Sequence, residues 1–331
     1  MRDQTGTLSS SGEALAGAFS GGFSRMIIAP LDVLKIRFQL QVEPVTSSAD
    51  VYIKSSRRPH YTSVLQAVSS LIREEGIRTL WRGNFPAMVL WVSYMSVSFP
   101  VYRIAHSFVS GGKKSSSETK KPSPSLFPAL FAGAVSGGVA TFVTYPSDWL
   151  RTRIASQGVP PQHPTMGAMI SYVYKTEGVA GFFRGLSPTM MQIAPSLAVT
   201  FCTYEQSKEF WDKQIAQFMN EGGAQISHLR NLLCGAFAGT LGKLFVYPLD
   251  TVKKRLQVQG MKRSETYGEM RTYTGTFNAL SSIAIEEGIM GLYKGLSPSL
   301  LKAGTGAAMT FWSYELAATC LREQGWVQSN Q

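Results

Sequence analysis

Long segments that are rich in apolar and small residues and poor in charge alternate with polar connections along this chain. We place six of them at about residues 13–41, 84–109, 127–156, 186–210, 228–258 and 296–320. Each is near or above the ~20 residues that a helix needs to cross a bilayer. None is an uninterrupted apolar run, because glycine, serine, threonine and a few charges break every one of them. The pattern predicts membrane helices with one face toward lipid and another toward water or a neighbouring helix.

An eight-residue signature that begins with proline is written three times. The copies start at Pro30, Pro146 and Pro248, and each carries Asp two positions and Lys or Arg five and seven positions after the proline. Every copy lies near the end of a low-charge segment. One match of this length could arise by chance, but three matches in the same context indicate an internal repeat.

A second element follows each copy of the signature. It consists of Glu-Gly, four further residues, and a triplet of an aromatic residue, a basic residue and glycine. The three triplets are Trp81-Arg82-Gly83, Phe183-Arg184-Gly185 and Tyr293-Lys294-Gly295. The chain is therefore three diverged copies of one unit of about 100 residues. We place the units at 12–110, 126–218 and 227–322, with residues 111–125 as a linker between the first two.

The signature places ionisable side chains inside predicted membrane helices. Its Asp and its first basic residue lie three positions apart, so both fall on the same helix face, and its proline should kink the helix. Charged groups at membrane depth are expensive and usually point inward to pair. Three equivalent helices can therefore close a ring in which the acid of one unit pairs with the base of the next; the alternative is a local ion pair within each signature. The predicted pairs are Asp32 with Arg151, Asp148 with Lys253, and Asp250 with Lys35.

The triple PX[DE]XX[KR]X[KR] signature and its downstream element resemble the repeat of the mitochondrial carrier family over nearly the whole chain. The resemblance implies an all-α membrane protein with six tilted transmembrane helices in three tandem two-helix repeats. These would form a pseudo-threefold barrel with short matrix helices near 62–75, 165–177 and 275–287. It also implies exchange transport across the mitochondrial inner membrane by alternating access. The carrier is then expected to be a monomer, not an enzyme, with both termini toward the intermembrane space.

The resemblance further implies a second gate on the cytosolic side and braces for the matrix ring. The family pattern [FY][DE]XX[KR] on the even-numbered helices aligns with Tyr102, Arg103 and His106, with Tyr204, Glu205 and Lys208, and with Tyr314, Glu315 and Ala318. Only the middle copy is intact, so we expect one or two charge contacts in this gate. Glutamines that brace the matrix ring in the family match Gln39 and Gln257, whereas Ala155 stands at the third position.

The net charge of +11 indicates anionic partners. More than half of the 32 Lys and Arg lie between a signature and the end of its triplet, on one side of the predicted membrane. The triplets open helices, where backbone N–H groups and the helix dipole favour a phosphate; by the resemblance, that phosphate belongs to cardiolipin. Nucleic acid is not an expected partner, because no nucleic-acid-binding motif appears and the charges are spread over three connections.

Enzymatic and metal-binding interpretations find little support in the sequence. Gly242-Lys243 lacks the earlier glycine and the following Ser or Thr of a phosphate loop. Cys202, Cys234 and Cys320 have neither disulfide nor metal-site spacing, and the four histidines form no cluster. No cofactor and no metal are therefore expected.

The substrate is predicted from positions at which the repeats differ. Five residues before the signature proline the chain carries Arg25, Thr141 and Lys243, and seven residues after the triplet glycine it carries Leu90, Gln192 and Lys302. In the carrier family these positions face the central cavity. Three cations without an equivalent acid nearby predict an anion. Because Arg can fork two phosphate oxygens, the cations suit a diphosphate or polyphosphate.

The rest of the predicted cavity is apolar or amide-like. Leu90, Ile193 and Gln192 could hold a heterocycle, and Trp91 and Tyr94 could stack on a ring or a cation, although such aromatics more often serve packing. The ligand stays open among phosphorylated cofactors, including nucleotides and coenzyme A, in exchange for a second anion such as a nucleotide. The alternative function is a membrane scaffold that does not transport, which would predict damaged signatures.

Overall fold

The computed structural model describes residues 10–41, 61–109, 126–158, 161, 163, 165–214, 224–261 and 272–324. Outside their caps and connections, these residues are helical. The predicted linker at 111–125 lies outside the described residues.

Six long helices make up most of the described chain. They are α1 (Ser10–Leu40), α3 (Asn84–Val109), α4 (Leu126–Ser156), α6 (Leu186–Gln214), α7 (Ala224–Val258) and α10 (Leu296–Glu323). Each coincides with one predicted low-charge segment to within a few residues at its ends. The shortest has 26 residues, which is enough to cross a hydrocarbon core of about 30 Å at a rise of about 1.5 Å per residue. The prediction of six membrane-length helices is confirmed.

A short helical segment joins the two long helices of each repeat. The segments are α2 (Val64–Glu75), α5 (Met166–Thr176) and α8 (Thr276–Glu286), followed by 3-10 turns at Ile77–Trp81 and Val179–Phe183 or by the single-turn helix α9 (Ile289–Leu292). Local capping starts two of them. The Ser63 hydroxyl accepts from the Gln66 N–H, and the Thr165 hydroxyl accepts from the Ala168 N–H, each at 3.2 Å.

The glycine of each Glu-Gly element turns the chain at the end of its short helix. Gly76, Gly178 and Gly288 have φ angles of 83°, 66° and 75°. Side chains with a β-carbon are strained in this left-handed region, which explains why the motif requires glycine.

The second long helix of each repeat packs against the first long helix of the next repeat. The pairs with the most extensive contact are α3 with α4, α6 with α7, and α10 with α1. Because the last repeat contacts the first, the three repeats close into a ring of helices, as expected for a pseudo-threefold barrel.

Three of the described helical segments are long and apolar enough to cross a membrane by length and composition. They are Ile77–Val109, Pro128–Ser156 and Arg230–Val258. The remaining long helices carry more polar side chains; α1, for example, contains Arg25 and Asp32. Large exposed apolar side chains such as Phe142 and Phe311 give the molecule the surface of a protein that faces lipid.

Candidate functional site

Three ion pairs form a ring where α1, α4 and α7 meet. The joined atoms are Arg151 Nη2 and Asp32 Oδ2 at 2.5 Å, Lys253 Nζ and Asp148 Oδ2 at 2.9 Å, and Lys35 Nζ and Asp250 Oδ2 at 2.6 Å. These are the three pairs that repeat symmetry predicts, each from the acid of one repeat to the base of the next. Among the described residues, no ion pair joins the acid and the first base of the same signature.

The ring lies in a buried environment. Asp32 is 8% exposed and Asp250 is 5% exposed. Removal of one partner from a buried ion pair costs about 3–5 kcal/mol, because the other charge is left without compensation in a medium of low dielectric constant. A ring of three such pairs can therefore hold three helices together and can open only when other groups take over its charges.

Glutamine side chains from the neighbouring repeat hold two of the three acids. Gln257 Nε2 donates to Asp148 Oδ2 at 3.0 Å, and Gln39 Nε2 donates to Asp250 Oδ2 at 3.2 Å. Ala155 occupies the equivalent position in the remaining interface and carries no donor. The ring is therefore chemically asymmetric, although its backbone repeats.

Two tyrosines, which were not predicted from the sequence, support the same two interfaces. Tyr145 OH donates to the Arg184 carbonyl at 2.8 Å. Tyr247 OH donates to the Lys294 carbonyl at 3.1 Å. A ring lysine lies over each phenol, 5.8–5.9 Å from the ring centroid. The available signal was a tyrosine directly before the signature proline in two copies, where the first copy has Ala29.

The three cations predicted to lack an acid neighbour all approach ring carboxylates. Lys302 forms an ion pair with Asp32. Arg25 Nη1 lies 3.8 Å from the same carboxylate, and Lys243 Nζ lies 3.5 Å from Asp250 Oδ2. The expectation of cations without acids is therefore wrong. The reason is the reach of these long side chains: α10 packs directly on α1, and Lys243 precedes Asp250 by seven residues on one helix.

The ring region nevertheless contains more cations than acids. Seven basic residues, Arg25, Lys35, Arg151, Lys243, Lys253, Lys254 and Lys302, surround the three carboxylates of Asp32, Asp148 and Asp250. The buried Nη1 of Arg25 has no hydrogen-bond partner in the part of the chain that the structure describes. A cleft lined by charge of one sign concentrates counter-ions, so this surplus favours an anionic ligand.

The other predicted cavity residues lie on the long helices. They are Leu90, Trp91, Tyr94, Thr141, Gln192 and Ile193, and all are half-buried. Trp91 packs against α1, where a β-carbon at Gly21 would come within 3.0 Å of its Cη2. Ile193 packs against α4, where a β-carbon at Gly137 would come within 3.3 Å of its Cγ2. These contacts fit a packing role for Trp91 and Ile193, and a binding role stays a prediction.

The predicted cytosolic gate lies in the C-terminal halves of α3, α6 and α10, far along each helix from the ring. Its residues are Arg103, Tyr204, Glu205, Lys208, Tyr314 and Glu315. The charged members are exposed, and no ion pair joins any of these six described residues. The Tyr102 ring stacks on His106 with centroids 5.8 Å apart. The matrix ring is thus closed by ion pairs, whereas no ion pair between these six residues closes the predicted cytosolic gate.

A second layer of ion pairs, which was also not predicted, adjoins the matrix ring. It contains the last basic residue of each signature, Arg37, Arg153 and Arg255, and the glutamate of each Glu-Gly element, Glu75, Glu177 and Glu287. The three arginines are fully buried. Each one binds its glutamate through two nitrogens and also donates to backbone carbonyls of the next repeat. This layer therefore ties neighbouring repeats together independently of the ring.

The basic residues of the triplets take part in this second layer. Arg184 Nη1 lies 2.9 Å from Glu177 Oε2, and Arg82 Nη1 lies 3.3 Å from Glu75 Oε2. Lys294 is 4% exposed and forms an ion pair with its own Glu-Gly glutamate. Each of these charges is paired with a glutamate, and of the three only Arg184 remains exposed, so a lipid phosphate at the first and third triplets would have to bind mainly to backbone N–H groups.

The aromatic and glycine positions of the triplets also make internal contacts. Trp81 Nε1 donates to the Met26 carbonyl at 2.9 Å, and Phe183 and Tyr293 stack on the two tyrosines that precede signature prolines. The triplet glycines have positive φ angles, and a β-carbon on Gly83 would come within 2.8 Å of a backbone carbonyl of α4. Glycine is required there because the chain passes close to the neighbouring helix.

Comparison with known proteins agrees with this architecture. The family profile described as "Mitochondrial carrier protein" matches residues 6–113, 122–214 and 224–325. Mitochondrial thiamine diphosphate carrier 2 of Zea mays is 42% identical over 315 residues, which cover 92% of each chain. Mitochondrial thiamine pyrophosphate carrier 1 of Neurospora crassa is 39% identical over 91% of this chain and 89% of its own length. The mitochondrial thiamine pyrophosphate carrier of Bos taurus is 36% identical over 92% of this chain and 90% of its own.

The three profile matches contain the three signatures, the three triplets and the six long helices that form the closed ring. Repeat sequence, helix arrangement and ion-pair ring all describe one kind of molecule, a mitochondrial membrane transport protein and not an enzyme. This chain belongs to the mitochondrial carrier family.

Proposed function

We propose that this carrier exchanges thiamine pyrophosphate for another anion across the mitochondrial inner membrane by alternating access. The observation that carries the proposal is the surplus of cations at the ring, which comes from residues outside the threefold pattern. Relatives with 36–42% identity over more than nine-tenths of this chain bear the name of thiamine diphosphate or thiamine pyrophosphate carrier. Short stretches such as Lys253–Val258 and Gly295–Lys302 also resemble that carrier.

In this proposal, the diphosphate binds to Arg25 and Lys302, with Lys243 as a third cation. The guanidinium of Arg25 can fork two phosphate oxygens, whereas each ammonium supplies a point charge. Its buried Nη1 has no hydrogen-bond partner among the described residues, so a phosphate oxygen would satisfy it. The ligand would replace ring carboxylates as the counter-ion of these cations.

The heterocyclic part of the ligand would meet the opposite wall of the cavity. Gln192 offers both a donor and an acceptor to an aminopyrimidine. Leu90, Ile193 and Thr141 would surround the rings, and Tyr94 could face the positively charged thiazolium. Selection among phosphorylated cofactors depends on this wall, because the cations at the ring accept any diphosphate.

Alternating access follows from the two gates. With the matrix ring closed and the second ring without ion pairs, a ligand would enter from the cytosolic-gate side. Lys208 and Glu315 would then supply a charge contact when that side closes, and Arg103, Glu205 and the two gate tyrosines would line it. A ligand can shift this equilibrium only by binding the two states with different affinity, so exchange is expected to exceed net uniport.

The orientation in the membrane follows from charge and helix number. Basic connections between signature and triplet would face the matrix. An even number of long helices would then place both termini toward the intermembrane space. Cardiolipin phosphates would bind backbone N–H groups where α3, α6 and α10 begin, directly after the triplets. The barrel closes within one chain, which fits a monomer.

Two alternatives remain distinguishable. A carrier of another phosphorylated cofactor, such as a nucleotide or coenzyme A, would use the same cations with a different wall. A membrane scaffold without transport would not need three intact signatures, and the formed ring and its surplus of cations therefore favour transport.

The deciding experiment is a competition panel in proteoliposomes. Proteoliposomes that contain the purified carrier are loaded with labelled thiamine pyrophosphate or, in parallel, with labelled ADP or labelled coenzyme A. External thiamine pyrophosphate, thiamine monophosphate, ADP and coenzyme A are tested as exchange partners for each load, with protein-free liposomes as the control. We expect the fastest exchange with thiamine pyrophosphate and slower exchange with nucleotides. Exchange of ADP or coenzyme A by carrier that ignores thiamine pyrophosphate would overturn the assignment.

A further inference from the structure

The three interfaces of the matrix ring are not equally supported. In the two braced interfaces, a tyrosine before the proline and a glutamine from the next repeat flank the acid: Tyr145 and Gln257 at Asp148, and Tyr247 and Gln39 at Asp250. Between α1 and α4, the same two positions are Ala29 and Ala155. The Asp32–Arg151 pair therefore has neither the glutamine nor the tyrosine.

A small cavity occupies the place of these missing side chains. Its lining includes Ala29, Asp32, Gly83, Arg151 and Ala155. It is about the size of one water molecule, far too small for an organic ligand. The cavity thus marks an interface that is packed less completely than its two counterparts, and it does not form a binding site of its own.

Position 155 has the backbone geometry of the two glutamine positions, but it carries alanine. The Cβ atom of Ala155 lies 3.5 Å from a β-carbon built on Gly83. In the other two interfaces, the Cγ atoms of Gln257 and Gln39 lie 3.2 Å and 3.1 Å from β-carbons built on the corresponding triplet glycines. A glutamine at 155 should therefore follow the same path and direct its amide toward Asp32.

Cavity cations replace the braces at this interface. Lys302 and Arg25 approach Asp32 from α10 and α1, and both stand at predicted substrate positions. At Asp148 the extra cation is Lys254, which is not a predicted substrate contact. At Asp250 the extra cation is Lys243. Gln39 also holds this acid, and it stays in place when a ligand draws Lys243 away. Apart from its ring partner Arg151, Asp32 is held in the described part of the chain only by cations that a ligand would remove.

We infer that Asp32–Arg151 is the ion pair through which an anionic ligand opens the matrix ring. The inference rests on the proposed function, because it needs a diphosphate at Arg25 and Lys302. Such a ligand takes two of the three cations from Asp32 and leaves its pair with Arg151 without other support. The ring then opens first between α1 and α4, while glutamine and tyrosine still hold the other two interfaces.

Two variants test the inference. One adds a glutamine to the ring, and the other moves a glutamine without changing their number. Ala155→Gln adds a glutamine to the ligand-dependent interface. The double variant Ala155→Gln/Gln257→Ala keeps two glutamines, as in the native ring, but the interface without a glutamine is now the one at Asp148, where Tyr145 remains and which lies away from Arg25 and Lys302. Initial exchange rates of thiamine pyrophosphate, its half-saturating concentration and the Tm of the ligand-free carrier are measured for both variants and the native chain.

For Ala155→Gln we expect a higher Tm and an exchange rate at least fivefold lower. The reason is that one added hydrogen bond to the Asp32 carboxylate stabilises the closed ring by enough to slow its opening at least fivefold. The half-saturating concentration should change much less than the rate. The double variant should remain at least fivefold slower than the native carrier. A double variant with the native rate would show that only the number of braces matters, and it would overturn the inference.

The single variant decides the question if the double variant does not fold, because native exchange in Ala155→Gln also overturns the inference. Failure of the proposed function would give a different experimental result. In that case the native carrier itself would not exchange thiamine pyrophosphate, before either variant is compared.

Discussion

Lys254 Nζ donates a 2.7 Å hydrogen bond to Thr152 Oγ1, from the third repeat to the second. The same ammonium lies 3.6 Å from Asp148 Oδ1 and donates to Gln257 Oε1 at 3.0 Å. The first two repeats carry Ile36 and Thr152 at this position, so no threefold pattern predicts a cation here. Lys254 therefore gives the Asp148 interface an additional contact that crosses the repeat boundary.

Lys254→Met tests how much that contact contributes to the free energy of unfolding. The variant loses two hydrogen bonds, but it also avoids the burial of a charge, so the two effects partly offset each other. We expect the free energy of unfolding to fall by about 1 kcal/mol, because Lys253 and Gln257 still hold Asp148. Thermal unfolding in detergent measures the loss. Lys253→Met, which removes the closer cation, is the matched comparison and should cost more; equal losses would contradict this ranking.

A charge exchange between Asp148 and Lys253 tests the ring itself. Asp148→Lys and Lys253→Asp should each abolish exchange, because each leaves like charges at a buried site. The double variant should recover only part of the activity, since Lys254 then lies beside a lysine at 148. Lys254→Met added to the double variant should raise the recovery further. Proteoliposome exchange measures all four proteins, and a double variant as inactive as the singles in both backgrounds would argue against the ion-pair gate.

The buried arginine layer should matter for folding more than for ligand selection. Arg153 uses two nitrogens on Glu177 and also donates to the carbonyls of Gln257 and Gln259 at 2.9 Å. Lysine cannot reproduce this fork. We expect Arg153→Lys to lower the free energy of unfolding by about 2–4 kcal/mol, because buried polar groups lose their partners.

Arg73→Lys is the control for this substitution. Arg73 is exposed on α2, so its replacement should stay within about 0.5 kcal/mol of the native value. Both variants are compared by chemical or thermal unfolding, with ligand affinity measured on the folded fraction. Similar stability of the two variants would show that the arginine layer is dispensable.

The repeated features of this molecule could be predicted from sequence, because the proline signature fixes the same geometry three times. The positions of the long helices and the pairing of Asp32 with Arg151 follow from the repeat pattern, whereas the short matrix helices were expected from the family resemblance. One pattern observed three times also requires that all three pairs run in the same direction around the ring, since each acid must meet the base of an equivalent neighbour.

The features that break the symmetry could not be predicted in the same way. Lys254, Tyr145 and Ala29 occur in only one or two copies, so their roles appear only when the neighbouring helix is in place. The approach of Lys302 to Asp32 depends on the reach of a flexible side chain across two helices that are 270 residues apart in sequence. Local spacing contains no information about that distance.

Lys302→Met separates ligand binding from ring stability. Asp32 keeps Arg151 at 2.5 Å and Arg25 nearby, so the folded carrier should survive with only a small fall in Tm. Exchange of thiamine pyrophosphate should fall at least tenfold, because the diphosphate loses one of its cations while methionine preserves the aliphatic packing. Lys175→Met removes the same charge from an exposed site on α5 and should leave exchange within about twofold. A folded Lys302→Met carrier with native exchange would show that the ligand binds elsewhere in the cavity. If the variant instead loses its fold, Lys302 serves the ring more than the ligand, because in the ligand-free carrier Lys302 acts through its ion pair with Asp32.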